Sequence, residues 1–121
     1  MKVLHIDDSP QICELYQDMF TADNHSITSI NDGKDGLKLV VKNDYDLILL
    51  DMCMPKYSGL DFLRDLKIQR PSELKKVVVV SVLEFNEAQT QELLEFGVHS
   101  VEEKPPNLPS LINMQKNMVF K

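Results

Sequence analysis

Residues 47–50 read "LILL", four apolar side chains in a row, and the run ends on a carboxylate, Asp51. Unbroken apolar character, rather than alternation, is what a strand covered on both faces requires, and that is the mark of a parallel sheet held between helices. A second run, "KVVVVSV" at 76–82, is β-branched almost throughout and reads as another such strand. Neither run suits a sheet with one face in water, so the other segments have to supply two covering layers.

The hydrophobic period along the chain switches repeatedly between strand-like and helix-like spacing. "KVLHI" is a first short strand, after which Ser9 offers a cap oxygen and Pro10 fits the first position of a helix. Ile12, Leu15, Tyr16, Met19 and Phe20 give residues 10–21 one apolar face. "SITSI" at 26–30 is the second strand, and Asp32 caps a helix with Leu37, Val40 and Val41 inward. "DLILL" is the third strand. Ser58 caps the next helix, with Leu60, Leu63 and Leu66 inward and Pro71 beyond its end. After the fourth strand, Asn86 caps a helix through Leu93, Leu94 and Phe96 that closes at Gly97. "VHSVEE" is a weaker fifth strand, its core at 98–102, and Asn107 and Pro109 open a last helix over 107–120. Five strand–helix units in alternation predict an α/β fold, a five-stranded parallel sheet with helices on both faces in a doubly wound (βα)5 sandwich. No repeat or linker divides the 121 residues, so 1–121 is expected to be a single domain.

Composition removes several classes of function. A formal charge of −6 argues against a direct grip on nucleic acid, which depends on basic contacts to phosphate. No apolar stretch approaches the length of a membrane span, and no leader-like run opens the chain, so neither membrane insertion nor export is expected. Cys13 and Cys53 have neither metal-type nor redox-type spacing, which fits a cytoplasmic location. The charge is uneven: after Glu103 no acid follows, only Lys104, Lys116 and Lys121.

In sheets of this kind, sites form beyond the carboxyl ends of the strands. Those ends carry Asp7 and Asp8, Asp51, Ser81 and, leading out of strand five, Lys104. Alone, Ser81 is a strand hydroxyl and Lys104 a surface lysine; their joint placement is what points to chemistry. Crowded carboxylates repel, and a hard divalent cation relieves that repulsion, which suits magnesium with Asp7, Asp8, Asp51 and a loop carbonyl near Cys53 as ligands. A carboxylate beside a metal can act as nucleophile toward phosphorus, with Lys104 and Ser81 available to the phosphoryl oxygens. Cys53 as a redox thiol is disfavoured, since nearby acids raise a thiol's pKa. His5, His25 and His99 show no ligand spacing.

"HIDDS", "LILLDMCMP", "SGL", "VVVVS" and "EEKP", in this order, resemble the receiver domain of two-component response regulators across essentially the whole chain. The resemblance implies a flavodoxin-like fold, Asp7 and Asp8 as metal-binding acids, and Asp51 as phosphoacceptor. It also implies Ser81 as the site hydroxyl and Lys104 as the lysine before a cis proline, Pro105. It further implies Mg2+ as cofactor, a histidine kinase or phosphotransfer protein as donor, and a signalling module rather than a turnover enzyme. The chain departs from the pattern at Val101, where many members carry an aromatic residue, and at Val82, where a small residue is common. Val101 is too stiff and small to carry a ring swing, so the expected switch elements are Ser81, Leu83 and Phe85 together with Val101, the residue at the aromatic's position. The expected partner surface is the helix 87–96, strand 98–102 and helix 107–120. The layout is expected to be that of a stand-alone receiver with no output domain. Two other readings stand beside it: a magnesium-dependent phosphohydrolase using Asp51, and a non-phosphorylated pseudo-receiver adaptor. The first lacks an acid at Cys53, and the intact acids and lysine weigh against the second.

Overall fold

A computed structural model of the chain describes residues 1–81 and 85–103. Strands β1 (Lys2–Ile6), β2 (Ser26–Ile30), β3 (Leu47–Asp51), β4 (Val77–Ser81) and β5 (Ser100–Glu103) form one sheet in the order β2-β1-β3-β4-β5. Every pairing is parallel. Helices α1 (Pro10–Ala22), α2 (Gly33–Lys42), α3 (Gly59–Gln69) and α4 (Glu87–Phe96) connect them. The expected last helix at 107–120, together with Lys104, Pro105, Val82 and Leu83, lies outside the described residues.

The apolar runs behave as their composition requires. Every residue of β3 and β4 is buried, and alternate side chains feed two cores. Ile48, Leu50, Val77 and Val79 join Leu37, Val40, Phe62, Leu63, Leu66 and Leu93 on one face. Leu47, Leu49, Val78 and Val80 join Tyr16 and Phe20 of α1 on the other. The helix starts are fixed by the expected caps. Ser9 accepts from the Ile12 amide, Asp32 from the Lys34 and Asp35 amides, and Ser58 and Asn86 each form a reciprocal capping box. Gly97 ends α4 at φ 125°, a conformation that side chains resist.

Several boundaries and faces differ from expectation. β3 runs one residue further than "DLILL", so Asp51 is itself the last paired residue, opposite Val80. β5 starts at Ser100 rather than at Val98: Val98 and His99 lead out of the Gly97 turn, and the His99 amide already bonds the Val77 carbonyl at the start of β4 at 2.9 Å. Lys76 belongs not to β4 but to a 3₁₀ turn over Pro71–Lys76. That turn buries Leu74, and Arg70 ahead of it donates to the Val40 and Asn43 carbonyls, both at 2.9 Å. Leu15 and Leu94, expected inside, are 41% and 39% exposed, because Tyr16 and Leu93 beside them already occupy the inward positions. Phe62, not singled out beforehand, is fully buried, while Leu60 is half-buried.

Candidate metal and phosphoacceptor site

β1 and β3 are adjacent central strands, so the residues at their carboxyl ends meet. One carboxylate oxygen from each of Asp7, Asp8 and Asp51 lies within 4.8 Å of the others. Asp7 is fully buried and Asp51 nearly so, whereas Asp8 faces solvent. The backbone holds the two buried acids: the Ser9 amide donates to Asp7 Oδ1 at 2.9 Å and the Cys53 amide to Asp51 Oδ1 at 3.2 Å. The Asp7 amide in turn donates to the Ile30 carbonyl at 3.1 Å, which fastens the acidic pair to the end of β2.

The loop from Asp51 to α3 is shaped by close approach. An added Cβ on Gly59 would sit 2.7 Å from the Asp51 carbonyl oxygen and 2.7 Å from Met52 Cα, so only glycine allows the helix start to rest on the strand end. The Gly59 amide closes the loop onto the Met52 carbonyl at 3.3 Å. Cys53 is exposed, and its amide is the group directed at Asp51.

Ser81 is buried, one register step beyond Val80, the partner of Asp51. Phe85 and Val101 are partly buried against the same core, the one built on α2, α3 and α4. Lys104 and Leu83 lie outside the described residues. Two site neighbours escaped the sequence reading. His5, on the same strand face as Asp7, is buried with Nε2 3.6 Å from Asp7 Oδ2 and Nδ1 3.4 Å from Ser29 Oγ. Tyr16 is fully buried with its ring 4.3 Å from the His5 ring. Burial, then the charges of Asp7 and Asp51, push the Tyr16 phenol well above its ordinary ionisation range. The only available signal was that His5 stands two residues before Asp7, on the same side of a strand.

Three hard oxygen donors at this separation fit a divalent cation that accepts carboxylates and water, and magnesium matches that preference. Two unit charges 4.8 Å apart repel by about 3 kcal/mol at an effective dielectric of about 20. Asp7→Asn should therefore raise the cation-free melting temperature by a few degrees. It should also weaken Mg2+ binding more than about 100-fold, beyond what loss of an outer partner costs. Differential scanning calorimetry with and without Mg2+ checks both signs. A lower cation-free melting temperature would mean that the acids are already balanced by other charges.

The family model for the response regulator receiver domain matches residues 3–116. Among curated proteins, the chain is 38% identical over 64 residues to the transcriptional regulatory protein DltR of Streptococcus agalactiae, covering 53% of this chain and 29% of that one. It is 31% identical over 68 residues to the response regulator SaeR of Staphylococcus aureus, covering 56% and 29%. These matches span less than a third of the relatives' length. Among solved structures, the receiver domain of Francisella response regulator 1452 superposes with a TM-score of 0.80 at 28% identity, covering 97% of this chain and 98% of that one. The beryllium-fluoride-activated receiver domain of Klebsiella pneumoniae RstA has a TM-score of 0.82 with full coverage of both chains; at 19% identity it speaks for the fold alone.

Proposed function

This chain belongs to the receiver-domain family of response regulators, and on that premise we propose that it is a phosphorylation-controlled switch whose phosphoacceptor is Asp51. The observation that carries this reading is the meeting of three acids at the ends of two adjacent strands, with Asp51 the last paired residue of a buried central strand. A carboxylate there is costly unless a partner or a reaction uses it.

In the proposed reaction an Asp51 oxygen attacks the phosphorus of a phosphohistidine. The new O–P bond forms as the P–N bond breaks, and the bonding pair stays on the imidazole nitrogen. The product is an acyl phosphate on Asp51. The Cys53 amide fixes one Asp51 oxygen by hydrogen bonding, which orients the carboxylate at the strand end. Asp7, Asp8 and Asp51 would hold Mg2+, with the Cys53 carbonyl as a further ligand. When bound, the cation supplies positive charge against the phosphoryl oxygens. Ser81 would donate its hydroxyl to one phosphoryl oxygen, and Lys104 would give its ammonium to another.

The donor is taken to be a histidine kinase or a phosphotransfer protein. The downstream protein target would meet α4, β5 and the segment 107–120, with Ser81, Leu83, Phe85 and Val101 relaying occupancy of the site. Among the described residues no helix is long and apolar enough to cross a membrane. Incubation with acetyl phosphate and Mg2+ should add one acid-stable, base-labile phosphoryl group per chain, read by intact mass. No uptake under conditions where Mg2+ is bound would overturn the reading.

A further inference from the structure

Buried hydroxyls are nearly always hydrogen-bonded, because an unpaired one gives up its hydration for nothing. Tyr16 is an exception. The residue is fully buried, and among the described residues its hydroxyl has no hydrogen-bond partner. A phenylalanine would fill the same core position without that penalty.

The direction of the side chain is informative. α1 begins at Pro10, directly after the acidic pair, so its N-terminus stands at the candidate site. Long helical side chains lean toward the N-terminus of their helix. Tyr16, in the second turn, therefore carries its hydroxyl toward the strand ends, and the charges of both Asp7 and Asp51 are felt there. The ring is fixed against His5 at 4.3 Å and a 35° tilt, and His5 spans from Ser29 to Asp7. Phenol, imidazole and carboxylate thus form one buried polar file ending at the acids.

We propose that Tyr16 is a positioning residue of the acidic site, its hydroxyl donating to the Asp7 carboxylate when a divalent cation is held there. The inference rests on the metal-site reading given above. A carboxylate has about four acceptor sites. The Ser9 amide uses one on Asp7 Oδ1, and a cation would use another. A further donor fixes the carboxylate's rotation so that one oxygen stays on the cation. A neutral donor suits this task, since a lysine or arginine would offset the charge that attracts the metal. The competing account is a core tyrosine kept for its ring alone.

The test uses the full chain and Mg2+. Tyr16→Phe removes one oxygen and keeps the ring. It should melt higher than wild type without cation, because the unpaired hydroxyl is gone, yet bind Mg2+ roughly tenfold more weakly, the range set by a hydrogen bond to a charged group. In wild type labelled with 13C at tyrosine Cζ, the Tyr16 resonance should move on Mg2+ addition. The Tyr45 resonance, ahead of β3 at the amino ends of the strands, should stay. Equal Mg2+ affinity in both proteins, or a Tyr16 resonance that does not move while wild type binds, overturns the role of Tyr16 and leaves the metal site standing. Failure of wild type to bind Mg2+ overturns both. Should the variant not fold, the wild-type resonance alone decides.

Discussion

Asp51→Asn should abolish phosphoryl acceptance while leaving a folded protein. The side chain is 5% exposed and accepts the Cys53 amide through Oδ1, a bond that the amide oxygen of asparagine can also accept. The loop should therefore keep its shape. What is lost is the anionic nucleophile, since a carboxamide oxygen is a poor donor of electrons to phosphorus and cannot give a stable acyl phosphate. Removal of a nucleophile typically costs several orders of magnitude in rate, and a fall of at least about 10⁴-fold is expected here. Mg2+ affinity should drop less sharply, because Asp7 and Asp8 remain. Intact-mass analysis after exposure to acetyl phosphate and Mg2+ separates the two effects. Undiminished uptake in a folded variant would move the nucleophile away from Asp51.

The second large effect is structural and lies eight residues along the chain. Alanine is a better helix former than glycine by about 1 kcal/mol, so helix propensity alone would favour Gly59→Ala at the start of α3. The local geometry opposes it. The added carbon would lie 2.6 Å from Met52 Sδ, which can move, but also 2.7 Å from the Asp51 carbonyl oxygen and Met52 Cα, which are backbone. Relief requires displacing either α3 or the end of β3, and overpacking of that kind costs about 1–3 kcal/mol or somewhat more. The clash should win. The variant should lose about 2 kcal/mol in urea denaturation and bind Mg2+ more weakly, because the displaced strand end carries Asp51. A stability within about 0.5 kcal/mol of wild type would show that the helix start is not tightly seated.

Much of the fold was legible because each signal had a single physical meaning. Unbroken runs such as "LILL" and "VVVV" have no use for a solvent face, and Ser9, Asp32, Ser58 and Asn86 each cap a helix as their short side chains allow. The acids were legible as a group because the ends of two strands carried all three, in a topology that brings such ends together. Features set by tertiary contact were not legible. Leu15 and Leu94 have the composition of core residues, and only the position of the sheet decides that Tyr16 and Leu93 face it instead. The 3₁₀ turn over Pro71–Lys76 depends on Arg70 reaching carbonyls some thirty residues away in sequence. His5 and Tyr16 read singly as a strand histidine and a helix core tyrosine. Tyr16 comes near Asp7 only once α1 packs its ring against His5.

The central claim is that occupancy at Asp51 is transmitted from the acidic site to a distant surface. Backbone amide shifts should be compared between the Mg2+ form and the form with Mg2+ and beryllium fluoride, a mimic of the phosphoryl group. If Ser81, Phe85 and Val101 belong to an element with two arrangements, large shifts should appear over residues 82–90 and along 98–118, beyond the loops that carry the acids. Shifts confined to the loops around Asp7 and Asp51 would contradict the account, since the site would then bind its ligand without passing the event on.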